Sequence, residues 1–230
     1  MKNLNKSYNL WIHRFSIFTA IIIFFLIFLG GLVKSTESGL AVPDWPTTFG
    51  HNMFTFPISS MVGGILYEHS HRLLASFAGL CVLILTIWIT LISNNKVLKY
   101  FTWSTLGLII LQGILGGLTV IYFLPDWISI LHATLAQTIF CLSILIAMLT
   151  SKFWYNKNND NISNKINIYS IYTTIFIWIQ LIIGAIVRHT ESGLAALDFP
   201  KMNGRWIPNF SKLELDRIND ERFLYGFEYI

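Results

Sequence analysis

The chain has 230 residues, of which 54% are hydrophobic and only 12% charged, far from the roughly one-quarter charged composition of an ordinary soluble domain. That balance excludes a water-soluble globule and makes a lipid bilayer the expected solvent. The net charge of +4 comes without a basic patch interleaved with aromatics, so nucleic acid is not an expected partner.

Residues 15–33, 73–93, 100–124, 127–151 and 166–187 carry no Asp, Glu, Lys or Arg. Each block reaches the roughly 20 residues that cross about 30 Å of hydrocarbon as a helix, which predicts five spans and an all-α integral membrane protein. The first block is too long for a cleaved signal peptide and runs on into Gly30-Gly31 rather than a small-residue cleavage pattern. Lys2, Lys6 and Arg14 precede span one, Lys96 and Lys99 separate spans two and three, and Lys152, Lys157 and Lys165 follow span four. These regions are expected in the cytoplasm, with the N-terminus. The opposite side sets Lys34 against Glu37, Asp44 and Glu68, and then carries Asp126. Trp11, Trp45 and Trp127 near span boundaries suit an aromatic belt, and His13 an inner interface. His51 and His189 read as loop residues, and Cys81 and Cys141 as packing residues inside spans.

The ends of spans one and five repeat. VKSTESGLAVPDWP, residues 33–46, and VRHTESGLAALDFP, residues 187–200, are identical at nine of fourteen positions, and Gly50 and Gly204 extend the same offset. An internal repeat explains this, with parallel units of four spans each. On that pattern the second unit stops after its first span and loop, so the chain is expected to be a fragment or to have its remainder supplied by a partner.

Spans two and four both begin on the outer side, and His71 and His132 fall near their starts, at similar depth. Ionisable groups at that depth are costly unless they face the bundle interior with a partner. Glu68, His71 and Arg72 stand at i, i+3 and i+4 on one helix face, with His69 rotated away. Two neutral imidazoles at matched height can clamp a haem iron from both sides, and Arg72 could fork onto a propionate. The plainer readings stand beside these: interfacial histidines bonded to loops, Glu68 and Arg72 paired with each other, and the glycines of QGILGGL allowing close helix packing.

GGLVKSTESGLAVPDWPTTFG, MVGGILYEHSHRLLAS, LHATLAQ, GAIVRHTESGLAALDFP and NGRWIP together resemble the haem A synthase family, over about residues 12–208. The resemblance implies eight transmembrane helices in two pseudo-symmetric halves and oxidation of the C8 methyl of haem O to the formyl of haem A for terminal oxidases. It assigns His71 and His132 to the substrate haem iron, Glu68 to the reaction as the acidic residue, and a resident haem b to histidines of the C-terminal half. Residues 1–150 would be the substrate-haem half, 151–165 a cytoplasmic loop and 166–230 the start of the second repeat. Haem O synthase and an electron donor are the implied partners. The first outer loop lacks the cysteine pair of some members, so thiol chemistry is not expected there. Rival expectations are a bis-histidine electron-transfer protein, which needs no Glu68, and a scaffold fragment that binds no haem.

Overall fold

Hydrocarbon offers a peptide group no hydrogen-bonding partner, so an apolar chain must satisfy its backbone internally. Each apolar block does so as a helix in the computed structural model, which describes residues 8–155, 164–190, 192–194, 200–202 and 204–226. The helices are α1 (Leu10–Ser35), α2 (Gly64–Ile92), α3 (Lys96–Ile121), α4 (Asp126–Leu149), α5 (Lys152–Tyr155), α6 (Asn164–His189) and α7 (Lys212–Leu224). Five of them, α1 to α4 and α6, are long and apolar enough to cross a membrane. The chain divides into two compact units, one up to Ser170 and one from Ile171.

Local chemistry sets the helix ends. Asn9 accepts from the Trp11 and Ile12 N–H groups at 3.0 and 3.1 Å, and Asn95 caps α3 in the same way through Val97 and Leu98. The third span ends at Ile121, three residues before the apolar block does. Pro125 disfavours helical geometry in Leu124, and both Phe123 and Leu124 adopt φ of +58°. The Leu124 N–H returns to the Thr119 carbonyl at 2.6 Å, closing the turn into α4. At its other boundary α2 begins nine residues ahead of its apolar block, so Glu68, His69, His71 and Arg72 are all helical.

In the first unit α1 to α4 form an antiparallel ring in which each helix packs on the next and α4 closes on α1. One buried cluster joins Ile12, Leu85, Ile89, Leu98, Ile146 and Leu149; a second joins Ile23, Ala78, Val82, Leu106 and Ile139. Between them the buried hydroxyls of Ser16, Thr19, Thr86, Thr102, Thr105 and Ser143 border a cavity of about 10 Å³. These hydroxyls donate to carbonyls of their own helices, and Thr86 Oγ1 also lies 3.2 Å from the Thr102 carbonyl, linking α2 to α3. His13 Nδ1 lies 3.1 Å from the Ala147 carbonyl and joins the ends of α1 and α4.

The α1–α2 loop folds down on the opposite end of the ring. Three close approaches hold it: Leu124 against Gly39, Ala41 and Ser38 against Gly64, and the Trp45 indole against Gly117 of α3. Trp45 is therefore packed on a helix backbone, a role that a place in an aromatic belt does not include.

In the second unit no residue of α6 is buried, and His189 closes that helix rather than lying in a loop. On α7, Arg217 pairs with Glu214 and Glu221. The sequence repeat reappears as local structure. Thr36 Oγ1 donates to Leu32 and lies 2.7 Å from Ser38 Oγ; Thr190 Oγ1 donates to Ile186 and lies 2.7 Å from Ser192 Oγ. Thr48 bridges His51 as Met202 bridges Arg205, around Gly50 and Gly204 with φ of +74° and +78°. Glu191 and residues 195–199 of the second copy, and the tail from 227, lie outside the described residues.

A Cβ at Gly117 would stand 2.5 Å from Trp45 Cδ2, whereas Gly79 has nothing within 4 Å. Gly117→Ala should therefore cost about 1–3 kcal/mol through overpacking. In detergent it lowers the melting temperature and exposes residues 36–63 to protease, while Gly79→Ala leaves both unchanged or improved.

Candidate functional site

The first three turns of α2 carry titratable groups on several faces, and each meets a different neighbour. Glu68 is buried, accepts the Val42 N–H at 2.7 Å through Oε2 and pairs with Arg72 through Oε1. Arg72 donates from Nη1 to the carbonyls of Asp44 (2.7 Å) and Thr47 (3.1 Å), and from Nη2 to Val42 (2.8 Å) and to Glu68. Four of its five N–H donors are thus engaged, leaving Nε–H. The Glu68–Arg72 pairing is the plainer of the two sequence readings, extended by a loop that wraps both partners. His69, on another face, is buried with Nδ1 3.1 Å from Thr48 Oγ1 and its ring 5.1 Å from that of Phe56. It anchors the loop.

His71 points to α1. Its Cε1 lies where a Cβ on Gly30 would stand 3.1 Å away, with Nδ1 at 3.7 Å and Nε2 at 3.8 Å. His132 on α4 meets Gly116 of α3 in the same manner, at 3.1, 3.7 and 3.9 Å. Each hairpin, α1–α2 and α3–α4, therefore lays one imidazole edge on one glycine of the preceding helix. Counted at 1.5 Å per residue, His71 lies about 10 Å past the start of α2 and His132 about 9 Å past the start of α4. Both starts are at the loop-covered end of the ring, which puts the rings at matched height.

These features fit two axial ligands for a flat macrocycle. His71 Nδ1 is buried with no hydrogen-bond partner, and the glycines leave the rings room that any side chain would fill. The residue types required are those of bis-histidine haem ligation. Sequence reading overlooked Gln112, whose Nε2 is 3.3 Å from His132 Nε2 and 3.0 Å from the His132 carbonyl. An amide inside a block otherwise free of strongly polar groups was the available signal. Gly30 and Gly116 were noticed as small residues, not as places for the two rings.

Asp44 organises the loop outside the spans. It accepts from the Phe49 N–H at 2.7 Å, the Gly50 N–H at 2.8 Å and the Thr47 hydroxyl. Partial burial works against its charge, yet the bonds from Gly50, Thr47 and Phe49 together hold its carboxyl below the usual value.

Comparison with known proteins gives the chain several relatives by sequence. The COX15-CtaA family model, described as a cytochrome oxidase assembly protein, matches residues 13–228. The haem A synthase of Shouchella clausii is 28% identical over 204 residues, covering 85% of this chain and 65% of that protein. The haem A synthase of Halalkalibacterium halodurans is 30% identical over 202 residues, covering 86% and 66%. That of Pelagibacter ubique is 27% identical over 238 residues, covering 90% and 68%. The chain thus spans about two thirds of the length of these relatives, and slightly less in the first two.

The lowered pKa of Asp44 gives a sign for the pH response of the loop. A carboxylate depressed in the folded state stabilises above its unfolded pKa, and that stabilisation is lost as the pH falls through the folded value. Hydrogen exchange at the Phe49 and Gly50 amides should therefore be slow at neutral pH and gain protection loss in acid, below the ordinary carboxylate range. Asp44→Asn removes that acid-dependent step.

Proposed function

The chain belongs to the COX15-CtaA family of cytochrome oxidase assembly proteins, and from that premise we propose that its four-helix unit binds haem O as the substrate of haem A synthesis. The oxidised position is the C8 methyl group, which becomes a formyl. The observation that carries this reading is the matched pair of imidazoles, His71 and His132, each laid on a helical glycine at one end of the ring. In this reading α1 begins in the cytoplasm, and the site lies in the outer leaflet of a bacterial plasma membrane.

The contacts of each residue support its part in this reading. His71 and His132 hold the substrate haem by its iron from opposite helix hairpins. The α1–α2 loop, packed through Trp45 on Gly117 and Leu124 on Gly39, keeps water from that end of the bundle. Glu68, one turn before His71, is the carboxylate that receives protons released from the methyl group. Arg72 holds Glu68 and the loop in place, and retains Nε–H for a propionate. Haem O synthase as the source of substrate is one partner that this chemistry calls for; a methyl carried to a formyl gives up four electrons, so a redox partner is the other, an electron acceptor with water as the oxygen source or, where O2 supplies the oxygen atom, an electron donor.

The resident haem b that the resemblance implies has no ligand pair in the second unit, where His189 is the one histidine in the sequence.

Purified in detergent with added haem O, the full chain should give a sharp low-spin reduced-minus-oxidised spectrum. His71→Ala and His132→Ala should each abolish it, and Glu68→Gln should preserve haem uptake while lowering formyl production about a hundredfold or more, the usual contribution of a proton-transfer group. Product is measured by mass with the C-terminal half of a relative co-expressed. A parent chain without a haem signal, or a signal indifferent to both histidines, sinks the proposal.

A further inference from the structure

Gln112 stands four residues before Gly116, on the same face of α3 as the glycine that receives His132. Its Nε2 lies 3.0 Å from the His132 carbonyl oxygen, which can only accept, so the amide nitrogen and not the amide oxygen occupies this position. One N–H serves that carbonyl. The other is directed at His132 Nε2, 3.3 Å away, which must then present a lone pair and leave the ring proton on Nδ1. The lone pair that an iron would take is therefore already used by an amide from the neighbouring helix. Nδ1 is buried without a hydrogen-bond partner in both rings, so what sets His132 apart is the amide at its Nε2; the His71 ring meets Gly30, and among the described residues no side-chain amide is bonded to it.

Resting on the reading that these two rings hold the haem, we propose that Gln112 is a positioning residue that competes with iron for the His132 Nε2 lone pair, making His132 the exchangeable axial ligand and His71 the fixed one. A substrate has to leave after reaction, unlike a resident cofactor. A weakened bond on one side serves that need without loosening the other. Closing the His132 bond to iron means giving up the Gln112 hydrogen bond, and opening it restores that bond. The two states differ by a side-chain movement on α3 and leave the backbone of both hairpins in place.

The test loads the full chain with haem O and follows transfer of the haem to excess apomyoglobin by absorbance. Gln112→Leu, which removes the donor, should slow haem loss about fivefold, the worth of one ordinary hydrogen bond, and raise the low-spin fraction of the spectrum. Gln112→Met, closer in shape to the native side chain, should do the same and guards against a Leu variant that folds poorly. A Gln112 that only packs predicts the opposite sign, with haem lost faster as the α3–α4 contact loosens. Equal or faster loss in both variants, from a parent that binds haem, overturns this inference alone. A parent that takes up no haem overturns the functional reading and this inference with it.

Discussion

A guanidinium inside a helix bundle keeps its charge and has to be met by acceptors, since an unpaired buried charge costs several kcal/mol. Arg72 is met by Glu68 and by three carbonyls of one loop, those of Val42, Asp44 and Thr47. The same cluster fixes Val42 at both its N–H and its carbonyl. A single buried pair thus sets the path of the loop, the start of α2 and the height of His71, which precedes Arg72 in the chain. The glycines then decide how near the loop and the rings come to the helices. Gly117 admits Trp45, Gly64 admits Ala41 and Ser38, and Gly30 and Gly116 admit the imidazoles.

The loop after α1 owes much of its shape to bonds between near neighbours in sequence. Thr36 reaches back one turn and across to Ser38, and Thr48 pairs with His51. The same bonds recur at Thr190, Ser192, Met202 and Arg205 in the second unit. A TES-Gly turn that forms the same contacts in two separate units is encoded locally, as threonine and serine hydroxyls commonly do at helix ends. Arg72 tethers the loop in the first unit, from a helix that follows it.

Much of this architecture was legible in the sequence for physical reasons. Apolar blocks without charge leave a chain little choice but helices, so the five spans were readable, and spacing put Glu68 and Arg72 within reach of each other. Boundaries were less so: the end of α3 depends on left-handed backbone at Phe123 and Leu124, which no hydropathy pattern reports. His71 and His132 stood out because ionisable groups are rare at that depth. Their glycine neighbours did not, because helix pairing decides which glycine faces which ring. The bonds from Arg72 to Val42, Asp44 and Thr47 and from Gln112 to His132 join residues 20 to 30 positions apart. Only the closed ring brings them together.

The two hairpins present their imidazoles alike, with ring-to-glycine distances that agree within 0.1 Å. A disc placed between such jaws meets a glycine-backed imidazole on each face whichever way up it enters. In the proposed reaction, oxidation of a single methyl among several on the haem rim requires that the two ways up be told apart. Symmetry in the grip therefore shifts the burden of regiochemistry onto whatever lacks a twin. Glu68 with its loop accompanies His71 and Gln112 accompanies His132, where the equivalent positions of the other hairpin hold Ser129 and Leu26. The unmatched residues tell the disc which way is up.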